Sequence, residues 1–175
     1  MAKNGKTFSV ILIMCVSVLS LCMLAGCAEK AKKAVEWGDS PDFTLKQLDG
    51  TNFTLSSLKG KVILLDFWAT WCGYCVDEIP DLIAMRKDLA DKGFEVVGVS
   101  LDKRAETVKK FAEKNGINYI LVMGDNKIGD KYNISRGIPT TFIIDKDGNS
   151  VKSFLGLTGR KEFEQVILEL LEKGK

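Results

Sequence analysis

Cys72 and Cys75 are the residues in this sequence best placed to do chemistry. They stand in Trp71-Cys72-Gly73-Tyr74-Cys75, directly after the apolar run Val62–Trp68 and at the start of a segment with helical spacing. A thiol at a helix N-terminus meets unpaired backbone N–H groups and the positive end of the helix dipole, and both lower its pKa. Cys72 is therefore expected to be the exposed nucleophile. Cys75, one turn in, is expected to close the disulfide and release a mixed-disulfide partner. A C-x-x-C bridge closes a very short loop and removes little chain entropy, so it is a poor structural staple. A four-cysteine zinc site would need a second C-x-x-C, which the sequence lacks, and no metal site is expected.

Other residues can assist such a pair. Asp66 lies inside the apolar run, six residues before Cys72. Burying a carboxylate is costly and raises its pKa, which makes Asp66 a candidate proton acceptor for Cys75. Glu78 is three residues past Cys75, one helical turn on, and so close to the thiols. Trp71 is expected to shield the pair on one side. Ile138-Pro139-Thr140 precedes the apolar run Thr140–Asp145, a place where proline is tolerated, and marks a backbone that could pair with an incoming peptide.

Composition narrows the chemistry. There is no histidine among 175 residues. A Ser–His–Asp triad, a histidine base and histidine-ligated zinc, copper or haem are thereby excluded. Hydrophobic residues make up 46% and charged residues 27%, as in one globular domain with a tail. The formal charge is +2, and Lys3 and Lys6 account for all of it. Without a basic surface, nucleic acid is not expected as a partner.

The amino terminus has the layout of an export signal. Two lysines precede the uncharged stretch Thr7–Ala28, which closes in Leu24-Ala25-Gly26-Cys27. The tetrapeptide is similar to a bacterial lipobox, which makes residues 1–26 a signal peptide and Cys27 the lipidated first residue. The competing reading is an uncleaved anchor, since about 20 apolar residues span a bilayer. Either way the rest of the chain lies outside the cytoplasm. Cys15 and Cys22 fall in this segment as apolar filler. Residues 27–40 are assigned as lipidated cysteine and tether, and residues 41–173 as the folded domain.

The elements that must position the dithiol alternate in type. Phe43–Leu48 and Asn52–Leu55 flank Asp49-Gly50, a hairpin signal. Val62–Trp68 and Phe94–Leu101 have the continuous apolarity of strands buried on both faces. Helices are predicted from the Cys72–Cys75 segment to about Ala90, with a kink at Pro80, over Ala105–Asn115, and over Glu162–Leu171. Tyr119–Met123 is a short strand and Asn126–Tyr132 a short helix. Thr140–Asp145 and Ser150–Leu155 form a second hairpin. Asp145-x-Asp147-Gly148 starts like a calcium loop but lacks the remaining ligands and is assigned as a turn. The fold class is α/β, with a mixed sheet flanked by helices.

The motif Trp71-Cys72-Gly73-Tyr74-Cys75 after Asp66-Phe67-Trp68-Ala69, with Gly137-Ile138-Pro139-Thr140 downstream, resembles the thioredoxin superfamily. It is most similar to the membrane-tethered thiol–disulfide oxidoreductases that serve cytochrome c maturation (TlpA/ResA-like). The likeness covers roughly residues 38–173. The resemblance implies a three-layer thioredoxin-like fold with an N-terminal hairpin and a central strand–helix insertion. It implies a cis Pro139 packed against the cysteines and Glu78 as active-site acid. It places Trp71, Ile138, Pro139 and Thr140 at the substrate surface. Disulfide-containing exported proteins, apocytochrome c among them, are the expected substrates, and a membrane thiol relay the electron donor. No cofactor beyond the Cys72–Cys75 disulfide is expected, and a monomer is. Two positions depart from the pattern. Gly73-Tyr74 stands where thioredoxin has Gly-Pro, and Asp66 matches cytosolic thioredoxin, whereas this branch often has another polar residue. A thiol peroxidase and a copper-delivery lipoprotein are the alternatives. The first lacks its Pro-x-x-x-Thr/Ser-x-x-Cys pattern before Cys72, and the second lacks histidine or further cysteine ligands. Gly73-Tyr74 offers a thiolate little stabilisation, while Glu78 and Asp66 oppose one, so a reductant is expected.

Overall fold

The computed structural model describes residues 37–173. The signal segment 1–26, Cys15, Cys22, the lipidation site Cys27 and residues 28–36 of the tether lie outside the described residues.

The sheet is organised around β3 (Val62–Trp68), all seven of whose residues are buried. Its branched and aromatic side chains suit a strand covered on both faces. The same holds for β4 (Phe94–Ser100), which pairs with it in parallel from Val62↔Phe94 to Trp68↔Ser100. Among the described residues five further strands complete a mixed sheet: β1 (Thr44–Gln47), β2 (Asn52–Thr54), β5 (Ile120–Met123), β6 (Thr140–Ile144) and β7 (Ser150–Leu155). The order across the sheet is β2-β1-β5-β4-β3-β6-β7. β6 runs antiparallel to β3 and pairs Thr141 with Asp66.

Side-chain alternation along β3 divides the core into two layers. Leu64 packs with Leu82, Met85 and Leu89 of α1 (Gly73–Leu89) and with Phe163, Ile167 and Leu171 of α4 (Arg160–Glu172). Trp68 meets Cys75, Ile79 and Val108, the last from α2 (Ala105–Asn115). Ile63, Leu65 and Phe67 meet Phe43, Phe53, Leu55, Ile128 and Tyr132, which brings the N-terminal hairpin and the short α3 (Asn126–Lys131) onto the opposite face. This is the thioredoxin-like three-layer arrangement. α1 continues through Pro80 as one helix.

Gly98 of β4 explains one tight crossing. A Cβ there would lie 2.7 Å from Leu121 Cδ2 and 2.9 Å from Trp68 Nε1, so only glycine lets the indole lie over the strand.

The domain begins earlier than the Pro41 boundary. Gly38 N donates to Asp147 O and Ser40 N to Gly148 O, while the buried Ser40 hydroxyl meets the Tyr132 hydroxyl at 3.1 Å. Residues 37–40 therefore belong to the folded unit rather than to the tether. Trp37 packs against the core and Asp39 accepts from Ser150 N at 2.9 Å, so side chains and backbone share these contacts without a periodic pattern.

Candidate active site

The dithiol sits where β3 ends and α1 begins, at the C-terminal edge of the parallel strands. Cys72 is the N-cap of α1, in extended conformation, and its sulfur accepts from Cys75 N at 3.3 Å. The two cysteines are joined in a disulfide with Cα atoms 5.3 Å apart. Cys75 is fully buried beneath its helix, and Cys72 is half-buried. Trp71 and Tyr74 stand out from the surface on either side, 70% and 65% exposed. Trp71 flanks the pair without entering the core.

The second wall comes from the segment before β6. The Ile138–Pro139 bond is cis. The Cys72 sulfur lies 3.7 Å from Ile138 O. Pro139 O accepts from Gly156 N at 2.8 Å, and the Thr140 hydroxyl donates to Gly137 O at 2.6 Å. Cys72 and Ile138 are thus brought together from segments far apart in sequence, with Pro139 and Thr140 buried behind them.

Beneath the dithiol lies a set of buried polar groups. Glu78 is 1% exposed, not a solvated first-turn acid. Its Oε1 accepts from Thr158 N at 2.9 Å, and its Oε2 has no partner among the described residues. Burial pushes its pKa from 4.5 up to about 7, with the Thr158 N–H pulling it down and the Asp81 charge adding a little upward. Asp66 is buried too and, among the described residues, accepts the Thr141 hydroxyl alone, at 3.1 Å. Burial first, then the Glu78 charge, hold the Asp66 carboxyl well above the usual range against the pull of Thr141. Tyr119, just before β5, completes the set. Burial and the charges of Asp66 and Glu78 push its hydroxyl well above 10. The Trp68 indole N–H nearby has no acceptor among the described residues.

Thr141, Thr158 and Tyr119 join the site without having been candidates by sequence. Thr141 had a usable signal, since it follows Pro139-Thr140, which the resemblance places against the cysteines. Thr158 contributes a backbone amide and Tyr119 a ring packed across the sheet, and neither leaves a trace in local sequence.

The geometry can hold a nucleophilic sulfur at a helix N-terminus, a buried second sulfur, and an acid that titrates near neutrality within one helical turn. Comparison with known proteins agrees with that chemistry. The model of the AhpC/TSA family matches residues 38–152. The thiol-disulfide oxidoreductase ResA of Bacillus thuringiensis is 30% identical over 166 residues, 94% of this chain and 95% of that protein. The thiol-disulfide oxidoreductase ResA of Bacillus subtilis is 36% identical over 122 residues, 69% of this chain and 68% of that protein. Among solved structures, a thiol:disulfide interchange protein of the thioredoxin family from Chlorobium tepidum superposes with a TM-score of 0.70. It is 33% identical and covers 78% of this chain and 97% of its own.

Proposed function

The chain belongs to the AhpC/TSA family and is a thiol–disulfide oxidoreductase, and from that premise we propose that Cys72 attacks, Cys75 resolves and Glu78 takes the proton. The observation that carries this reading is the placement of Glu78, buried one turn beyond the buried Cys75 and titrating near pH 7.

In the reduced protein the Cys72 thiolate attacks one sulfur of a partner disulfide. A Cys72–partner bond forms, the partner S–S bond breaks, and the partner leaves one sulfur as a thiol. Cys75 then gives its proton to Glu78 and attacks the Cys72 sulfur. The Cys72–Cys75 bond forms and the partner departs with both sulfurs reduced. Two electrons have passed to the partner, and the dithiol is left as the disulfide present here. Asp66 has only a hydroxyl donor and a negative neighbour, so it holds its proton while Glu78 ionises. It is the weaker candidate for acceptor at neutral pH. Trp71 and Ile138 would line the surface on which the partner peptide lies, with the buried Pro139 and Thr140 supporting it from below.

Net reduction is the proposed direction. Ionised Glu78 places negative charge near the sulfurs, and the Gly73-Tyr74 dipeptide supplies no cation to stabilise a thiolate. The likeness to cytochrome-maturation oxidoreductases supports exported proteins, apocytochrome c included, as substrates and a membrane thiol relay as donor. Lipidation of Cys27 would hold the protein at the outer side of the membrane. Among the described residues no helix is long and apolar enough to cross one.

The test is to trap partners with Cys75→Ser. The mixed disulfide should persist on Cys72 and carry exported proteins. Recovery of no partner, or of partners joined through another cysteine, would refute the assignment. For direction, Glu78→Gln should lower the thiol pKa and make the protein a better oxidant. An upward pKa shift would overturn that.

A further inference from the structure

The turn that delivers Cys72 is held by a carboxylate outside the helix and outside the buried acid set. Asp102 follows β4 by two residues and is 8% exposed. Its Oδ2 accepts from Thr70 N at 2.9 Å and from the Ser100 hydroxyl at 2.9 Å. Its Oδ1 accepts from the Thr70 hydroxyl at 2.7 Å. Asp102 N in turn donates to Ser100 Oγ at 3.1 Å, and Leu101 N donates to Trp68 O at 2.9 Å. Among the described residues Asp102 has no ion pair. Three donors converge on two oxygens, which suits a carboxylate because it only accepts. Hydrogen bonds to an ionised acceptor are roughly twice as strong as neutral ones. Thr70 gives both its amide and its hydroxyl to this acid. Two residues later comes Cys72, whose own amide closes the turn onto Ala69 O.

We propose that Asp102 is a positioning residue of the dithiol, which through Thr70 holds the Ala69–Cys72 turn so that the two reduced sulfurs stay apposed. In the oxidised protein the disulfide itself restrains the turn. In the reduced protein that covalent restraint is gone, and the Asp102–Thr70 bonds are what limit its freedom. Freezing the dithiol raises the effective molarity of one thiol toward the other and favours disulfide closure. Loss of the bonds frees the reduced form more than the oxidised one.

The test measures the exchange equilibrium of the full-length chain with glutathione, beside its thermal unfolding. Asp102→Asn turns an N–H₂ toward donors. It is expected to lower the closure constant about tenfold, a potential about 30 mV less negative. Thr70→Val removes one donor and should shift the constant about threefold in the same direction. Thr70→Ser keeps the hydroxyl and should match the wild type. Thr70→Val added to Asp102→Asn should shift it no further. Should Asp102→Asn fail to fold, the Thr70 pair decides the matter. A lowered unfolding temperature with an unchanged constant in Thr70→Val would overturn the proposal by marking the contact as merely structural. Equal shifts in Thr70→Val and Thr70→Ser, or a shift toward a more negative potential, would also overturn it.

Discussion

Glu95 and Asp66 are buried acids on the same pair of strands, three steps apart in register: Ile63 faces Glu95 and Asp66 faces Gly98. At the N-terminal end of β4, Glu95 meets Arg86 at 3.1 Å and Lys61 at 3.6 Å, and also accepts from Val96 N. Toward the other end Asp66 has one hydroxyl donor, and its nearest charged influence is another acid, Glu78. Among the described residues neither Asp66 nor Glu78 forms an ion pair. A buried charge beside ion-pair partners is compensated where it stands. An unpaired one holds its proton until the pH is high enough, and that makes it able to accept or release one near neutrality. One end of the sheet neutralises its charge, and the end beside the dithiol leaves it uncompensated.

The contrast can be broken most severely by pH. Folded Glu78 titrates near 7 against an ordinary value of 4.5. Between those values the folded chain binds more protons than the unfolded one, so stability falls as pH rises through that window. The shift corresponds to a loss on the order of 3 kcal/mol by pH 8. Glu78→Gln should flatten the decline in denaturant titrations of the oxidised protein. An unchanged slope would mean that Glu78 is not the titrating group.

Kinetics give a slightly smaller effect. A positioned base contributes about a hundredfold at the low end of its range. Glu78→Gln should therefore slow resolution of the mixed disulfide about a hundredfold at pH 7, followed by quenching and counting the intermediate. Wild-type resolution rates in the variant would reassign the proton to Asp66 or to solvent.

Glu95→Gln should do the reverse. Loss of two charge-assisted contacts from a buried group is expected to cost about 2 kcal/mol of stability. The resolution rate should not change. A slowed rate would mean that the two ends of the sheet are coupled.

The smallest effect concerns the strand facing Asp66. In Gly98→Ala the added methyl group would crowd Trp68 and Leu121, and overpacking of this kind costs about 1 kcal/mol or somewhat more. Calorimetry would register it. No loss would show that the indole shifts freely.

Much of this architecture is legible in the chain. Val62–Trp68 and Phe94–Ser100 are strands because continuous branched and aromatic runs of that length suit a sheet covered on both sides. Ala105–Asn115 ends where predicted because Gly116 takes the left-handed conformation, φ 64°, that closes a helix. The dithiol is equally local: two cysteines at helical spacing after a buried strand determine where the reactive sulfurs lie. The docking of residues 37–40 was not legible, since it joins bonds to the 147–150 segment with the packing of Trp37 on the core, contacts that follow no local period.

The residues of the chemistry and the helix end on which they sit are written in the chain, because periodicity, caps and short spacings act over a few residues. Tertiary structure alone decided how each acid behaves. Glu78 owes its titration near neutrality to burial and to a Thr158 amide 80 residues away, and Asp66 its retained proton to burial and to Glu78. Desolvation and charge proximity depend on what packs around a group, and packing joins segments that no local pattern relates.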